Sequence, residues 1–468
     1  MPLKASRITP LILAVALFME QMDSTVIATS LVQIAKDIGT DAIALKLALT
    51  AYLVALAIFI PISGWMSDRY GARNIFRLAI LVFILGSIGC AFSNSLETFV
   101  ASRFFEGMGA SMMTPVGRLL LVRTTPRNEL VSAMAWLSIP AMIGPIVGPP
   151  LGGFLTTFLS WHWIFWINVP IGITGIILAG IYLPEVDERN PRPIDFVGFV
   201  LSAVAFSMVV FGLSVVSLPA LPIAYAYLTL AMGSVALLLY VLHARRTRYP
   251  LLDPKLLRHP IFRASLIGGS FFRIGIGAIP FLLPLMLQLG FGFTAFESGM
   301  ITFVSAIGAM SSKFIAEKTF ARFGFKRVLG LTVVLGSIST ASYGLFTPDV
   351  PIWLLMIALV LGGLLRSMFF TGTNALSYAD ISDTEASQAT AINAVAQQLS
   401  IALGVAAAGA ILEISGATSG GELGLDDFHL AFFAVAIISA VGVIQFIRLP
   451  ANAGQDVSGH RAAAIAKD

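Results

Sequence analysis

Two acids stand one helical turn apart in an otherwise apolar stretch. Residues 17–26 read LFMEQMDSTV, and Glu20 and Asp23 are the only charges between Ile8 and Ala35. A charge at bilayer depth costs several kcal/mol on any scale, so such residues face a cavity or a partner. The i, i+3 spacing puts both on one helix face. Desolvation favours a neutral carboxyl and a nearby guanidinium favours the anion. An acid whose surroundings alternate between these states loads and releases a proton. The alternative is a polar patch satisfied by neighbouring helices. A candidate partner lies in SRFFEGMGAS, residues 102–111, where Arg103 and Glu106 again share a face. Asp23 and Arg103 each lie about six residues inside the outer end of their spans, at ~1.5 Å per residue. An Asp23–Arg103 pair is therefore geometrically allowed; outward snorkelling of Arg103 is the alternative. Arg118, after Pro115, lies nearer the other end and reads as structural.

Three further stretches carry chemistry. GWMSDRYGARNIF, residues 64–76, sets Asp68 near a helix end with Arg69 and Arg73 just beyond, and Gly64 and Gly71 permit a close turn. Such a charged clasp can hold helix ends together in one conformation and release them in another. IPAMIGPIVGPPLGG, residues 139–153, would break a soluble helix. In a membrane it gives a bendable span with a flat face for close helix approach. FFRIGIG and LLRSMFFTGTN bury Arg273 and Arg366. Each guanidinium either anchors carbonyls or an acid on another helix, or meets an anionic substrate group. Mid-span charges are Glu20, Asp23 and Glu106 against Arg103, Arg118, Arg273 and Arg366. That balance does not suit a cavity selecting lipophilic cations alone. The Phe pairs at 104–105, 271–272 and 369–370 either line an apolar pocket or face lipid and core.

The elements that position these residues are membrane spans. Of 468 residues only 12% are charged and 57% are hydrophobic, with 34 Phe. A soluble surface cannot be built from so few charges. Spans of about 20 apolar residues fall at 11–30, 45–66, 76–93, 97–121, 131–157, 163–183, 196–216, 222–242, 262–287, 296–316, 327–346, 351–376, 388–413 and 428–448. Polar residues interrupt those at 97–121, 351–376 and 388–413 most. The reading is an all-α integral membrane protein with fourteen transmembrane helices and no soluble domain between them. Glu20 interrupts the first apolar run and no convincing cleavage site follows, so that run reads as a retained span. Cys90 is the single cysteine, which excludes an intrachain disulfide, and the five histidines form no ligand constellation. No metal or cofactor is expected, and no nucleotide motif is present.

Charge fixes orientation. With a cytoplasmic N-terminus, 23 of the 29 Lys and Arg fall on cytoplasmic segments, among them Arg69, Arg73, Arg77, Arg123, Arg127, Arg245, Arg246, Arg248, Lys318, Arg322, Lys326 and Arg327. Lys36 and Lys46 fall outside, and the four Arg above lie within spans. That asymmetry obeys the positive-inside rule and makes the basic clusters topology signals, not a nucleic-acid face. An even span count returns the C-terminus to the cytoplasm. KFIAEKTFARFGFKRVL, residues 313–329, matches 64–76 as a second tight turn holding a Gly and basic residues. The repeat implies an N-terminal six-helix bundle (1–183), two additional helices (184–261), a C-terminal six-helix bundle (262–449) and a cytoplasmic tail (450–468). Internal repeats of this kind are typical of secondary transporters.

At these residues the chain resembles the major facilitator superfamily, and within it the fourteen-spanner drug:proton antiporters. GWMSDRYGAR resembles the loop signature between the second and third spans. RFFEGMGAS resembles the fourth-span Arg motif associated with proton coupling, and GPIVGPPLGG the fifth-span antiporter motif. MDSTVIATSL is similar to the first-span Asp motif, and SWHWIFWINVPIG (160–172) to the sixth-span entry. The resemblance implies two six-helix bundles plus two inserted helices, and export by alternating access driven by inward proton flow. It makes Asp23 the first-span acid, Arg103 the coupling Arg, Asp68 and Arg73 gate charges, and Gly144, Pro145 and Gly148 the antiporter hinge. There are departures. Glu106 stands where Gln is usual, His162 stands where Arg is common, and Glu20 is an extra acid. The second half has no mid-span acid, with Glu413 near one end.

The expected function is a proton-coupled exporter of amphipathic drugs or other small molecules in a bacterial inner membrane. It is not an enzyme, and acts as a monomer with substrate bound near mid-bilayer between two bundles. One alternative is export of a small anionic metabolite, such as an organic acid or metal chelate, through Arg273 and Arg366. A transporter-like membrane sensor that moves no solute is the other.

Overall fold

The structure is a computed structural model that describes residues 5–125, 130–185, 193–215, 223–382, 385–418 and 423–458. Among the described residues the chain is helical and has no strand. That follows from the solvent, because in hydrocarbon every backbone N–H and C=O must be satisfied within the segment. The long helices are α1 (Ala5–Val26), α2 (Lys46–Tyr70), α3 (Ala72–Ala91), α4 (Leu96–Thr124), α5 (Leu130–Phe158), α6 (Trp163–Tyr182), α7 (Phe196–Val215) and α8 (Ile223–Arg246). They continue as α9 (Pro260–Gly290), α10 (Ala295–Tyr343), α11 (Ile352–Leu376), α12 (Ala386–Thr418) and α13 (Leu425–Ile447).

Eleven helices among the described residues are long and apolar enough to cross a membrane. One of them, α10, breaks at Gly324 and so carries both expected spans 296–316 and 327–346. The expected spans at 97–121 and 131–157 fall on α4 and α5, outside those eleven. On α4 the reason is composition: Glu97, Arg103, Glu106, Arg118 and Arg123 all lie on it. Arg127 and the tail beyond residue 458 lie outside the described residues.

The chain divides into two compact units. The first comprises Met1–Leu251 with Leu287–Phe303, the second Leu252–Met286 with Val304–Asp468. In the first unit Leu13, Leu17, Leu56, Phe76, Phe83, Met113 and Leu120 form a buried core drawn from α1 to α4. The α7–α8 pair packs on itself and reaches α2 through Phe59 and Phe199, whose rings lie 5.9 Å apart. Only 28% and 22% of their most apolar windows are buried, so most of this pair faces outward. In the second unit the core is aromatic: Phe369 lies 4.2 Å from Phe272 and 5.8 Å from Phe446. Two helix starts, those of α4 and α9, are capped by side chains. Ser95 accepts from the Thr98 amide, and Asp380 accepts from the amides of Ile261 and Phe262 at 2.8 and 3.1 Å.

The two repeated turns share one backbone state. Gly71 sits at φ 87°, ψ 128° between α2 and α3, and Gly324 at φ 74°, ψ 163° within α10. Both lie in a region that side chains with a Cβ do not adopt, so each connection is a one-residue corner. Gly64 is not part of the turn, contrary to the sequence reading. It lies on an exposed face of α2, and a Cβ there would meet nothing within 4 Å. The helix simply runs on to Tyr70, because nothing in WMSDRY breaks it.

Candidate functional site

The acids and the guanidinium expected to meet do so in the first unit. Asp23, Arg103 and Glu106 are all fully or almost fully buried, at 0%, 1% and 0% exposure. Arg103 Nη1 donates to Asp23 Oδ2 at 2.8 Å and to Glu106 Oε2 at 2.6 Å. The Tyr52 ring lies under the guanidinium, 4.4 Å from ring centre to Cζ, an arrangement worth about 2 kcal/mol when desolvated. Asp23 Oδ1 accepts from Asn168 Nδ2 at 3.1 Å; Asn168 also donates to Ser87 Oγ at 3.0 Å, and Ser87 donates to Phe165 O. Cys90 Sγ lies 3.5 Å from Glu106 Oε2. Snorkelling of Arg103 is therefore excluded in this conformation.

Small residues make that convergence possible. A Cβ on Gly107 would lie 2.5 Å from Tyr52 O, and one on Gly86 would lie 2.5 Å from the Glu106 amide nitrogen. Their absence lets α2 and α3 press against α4 at the level of Arg103. On the other side of the cluster, α5 lies flat on α1. A Cβ on Gly144 would lie 2.9 Å from Phe18 O, and one on Gly148 would strike Thr25. Two residues of the expected hinge thus seat the helix that carries Glu20 and Asp23, with Pro145 half-buried between them. Glu20 lies near Tyr52 but bonds to none of Asp23, Arg103 and Glu106. It is 7% exposed and accepts from Thr114 Oγ1 at 2.8 Å.

The charged clasp has different partners from those its spacing suggests. Asp68 Oδ1 accepts from Arg123 Nη2 of α4 at 2.8 Å. Arg73 instead donates to Gly180 O at 2.5 Å and lies 3.5 Å from Glu185. Arg69 is exposed.

In the second unit, Arg273 is fully buried. Its Nη2 reaches Thr373 Oγ1 at 3.4 Å, and its Cζ lies 5.6 Å from the Phe370 ring centre. Its Nε and Nη1 make no hydrogen bond, and among the described residues no carboxylate pairs with it. Asn393, from α12, donates to Asn374 at 3.5 Å and leaves its own Oδ1 unpartnered. Arg366 is half-buried, with Nη2 3.4 Å from Ser305 Oγ.

A family model described as Major Facilitator Superfamily matches residues 13–253 and 265–464. The chain belongs to that superfamily. It is 36% identical over 459 residues to a protein of Salmonella heidelberg (strain SL476) named "Putative multidrug resistance protein MdtD", covering 95% of each chain. A Pectobacterium carotovorum subsp. carotovorum (strain PC1) protein of the same name is 36% identical over 445 residues, covering 94% of this chain and 95% of that one. Among solved structures, a D-xylose-proton symporter superposes with TM-score 0.70 at 14% identity, over 95% of this chain and 98% of that one. A peptide transporter crystallised with sulfate gives 0.71 at 13%, over 96% of each. At such identities the likeness is one of fold. This major facilitator is therefore a multi-pass membrane transporter by family.

Sequence reasoning missed Tyr52, Ser87, Asn168, Thr114 and Arg123 as neighbours of the site. Asn168 was findable, since a side-chain amide inside an apolar span carries the same cost argument as an acid. Arg123 was read only as a topology charge. Tyr52 carries no signal in the sequence, because its ring matters only through the rotation of α2.

Proposed function

We propose that the chain is a proton-coupled exporter, a drug:proton antiporter that moves amphipathic small molecules out of a bacterial cell by alternating access. One observation carries the reading: a fully buried guanidinium bonded to two fully buried carboxylates, Asp23 and Glu106. One positive charge cannot neutralise two negative ones, and an uncompensated charge in a dry interior is costly. The cluster therefore changes proton occupancy whenever its exposure to either side changes. In this reading Asp68, Arg123 and Arg73 act as gate charges, Gly144, Pro145 and Gly148 set the α1–α5 contact that moves, and residues 184–261 are an insertion between two six-helix bundles. The N- and C-termini are cytoplasmic and the membrane is the inner one.

The test is substrate-driven proton movement. In inside-out vesicles with an imposed pH gradient, wild-type protein should accumulate ethidium and Asp23→Asn should not. Normal coupled uptake by Asp23→Asn would remove the reading. A second reading, export of a small anion, is favoured by Arg273, whose charge has no carboxylate partner among the described residues. Citrate counterflow that is lost in Arg273→Gln, with ethidium transport spared, would select it.

A further inference from the structure

We propose that Glu106, rather than Asp23, is the seat of the coupling proton, taken up on Oε1. The inference rests on the antiport reading above and names the atom that reading leaves open. It follows from counting donors. Asp23 has both oxygens occupied: Oδ2 by Arg103 and Oδ1 by Asn168. Ser87 has one hydroxyl hydrogen, which goes to Phe165 O, so it is the nitrogen of Asn168 that faces both Ser87 and Asp23. A proton added at Asp23 Oδ1 would meet an N–H that already points there.

Glu106 is different. Its Oε2 takes Arg103 and Cys90, and its Oε1 is buried with no hydrogen-bond partner. A carboxylate oxygen left bare in a dry site is the costly one to keep charged, and protonation removes that cost without displacing any existing bond. The groups facing Glu106 from each packed element are Asp23 on α1, Tyr52 on α2, Ser87 and Cys90 on α3, and Arg103 one turn away on α4 itself. Only Arg103 among them is a cation, and it is shared. Uptake at Oε1 takes one proton from the bath and converts an anionic cluster of two carboxylates and one guanidinium into a neutral Asp23–Arg103 pair beside a carboxylic acid. Release on the opposite side restores the anion. Glu20 lies outside this count: it bonds to Thr114 and is not among the groups acting on Glu106.

Infrared difference spectroscopy between acidic and alkaline pH, on the full-length chain reconstituted in liposomes, tests the assignment without knowledge of the substrate. The carbonyl stretch of a buried protonated carboxyl should titrate in the wild type. It should vanish in Glu106→Gln and keep its wild-type frequency in Asp23→Glu, which retains the second negative charge; Asp23→Asn leaves Glu106 paired one-to-one with Arg103 and should lose the band as well. Should Glu106→Gln fail to fold, Glu106→Asp serves instead and should move the band in frequency. A band that survives Glu106→Gln, or stays unmoved in Glu106→Asp, overturns the assignment; if it moves in Asp23→Glu instead, antiport stands with Asp23 as carrier. A wild-type protein with no titrating buried carboxyl overturns both.

Discussion

Replacing Arg103 by Met removes the one cation that Asp23 and Glu106 share. Met keeps most of the side-chain length, so packing against Tyr52 and Phe165 changes little while both charge-assisted bonds, of 2.8 and 2.6 Å, are lost. Breaking a buried pair by removing one partner costs about 3–5 kcal/mol. At roughly 2–4 °C per kcal/mol for domains of this order, the expected fall in Tm is on the order of 10 °C. Cys90 supplies the assay, because it is the single cysteine and is fully buried. A maleimide fluorophore that lights up on reaction with Cys90 reports unfolding directly. The reasoning makes a second demand. If the loss comes from orphaned carboxylates, then Arg103→Met combined with Asp23→Asn and Glu106→Gln should regain most of the stability, since neutral groups replace the stranded charges. A single Arg103→Met variant as stable as wild type would refute the electrostatic account. So would a triple variant no better than the single one.

Arg273→Met should behave in the opposite way: with no carboxylate partner to orphan, the variant should be at least as stable as wild type in the same Cys90 assay. Asp68 and Arg123 are 35% and 20% exposed, so their pair is screened and worth at most about 1 kcal/mol. Asp68→Asn should therefore leave Tm nearly unchanged while altering transport rate, and the charge-swapped double variant Asp68→Arg with Arg123→Asp should regain rate that Asp68→Arg alone loses. Gly148→Leu should push α5 off Thr25 of α1, costing about 1–3 kcal/mol by overpacking, and should abolish ethidium uptake; an active, fully stable variant would show that the contact is dispensable.

The spans were legible because the thickness of hydrocarbon writes itself into the chain as apolar runs of fixed length. The charged quartet was legible for the same reason: Glu20, Asp23, Arg103 and Glu106 interrupt such runs, and each interruption demands an explanation. What the sequence could not carry was helix rotation and the distances between neighbouring helices. Asp68 has Arg69 and Arg73 beside it in sequence, yet bonds to Arg123, because α2 and α4 bring those two together while Arg69 points outward. Gly64 looked like turn chemistry by its place in the motif, but a glycine can sit on an exposed helical face without bending it. The second tight turn, by contrast, was legible from its Gly and basic residues, and Gly324 with its positive φ makes it a single-residue corner.

The α7–α8 pair touches the rest of its unit along a narrow seam and turns large side chains such as Phe211, Tyr227, Leu238 and Leu239 outward. What those residues contact is set by the surrounding lipid more than by the protein. Acyl-chain length should therefore tune this hairpin first, and its outer face should accept almost any apolar side chain. A bulky label placed there would ride on the transporter as a passenger, reporting the bilayer without disturbing the buried Arg103 cluster.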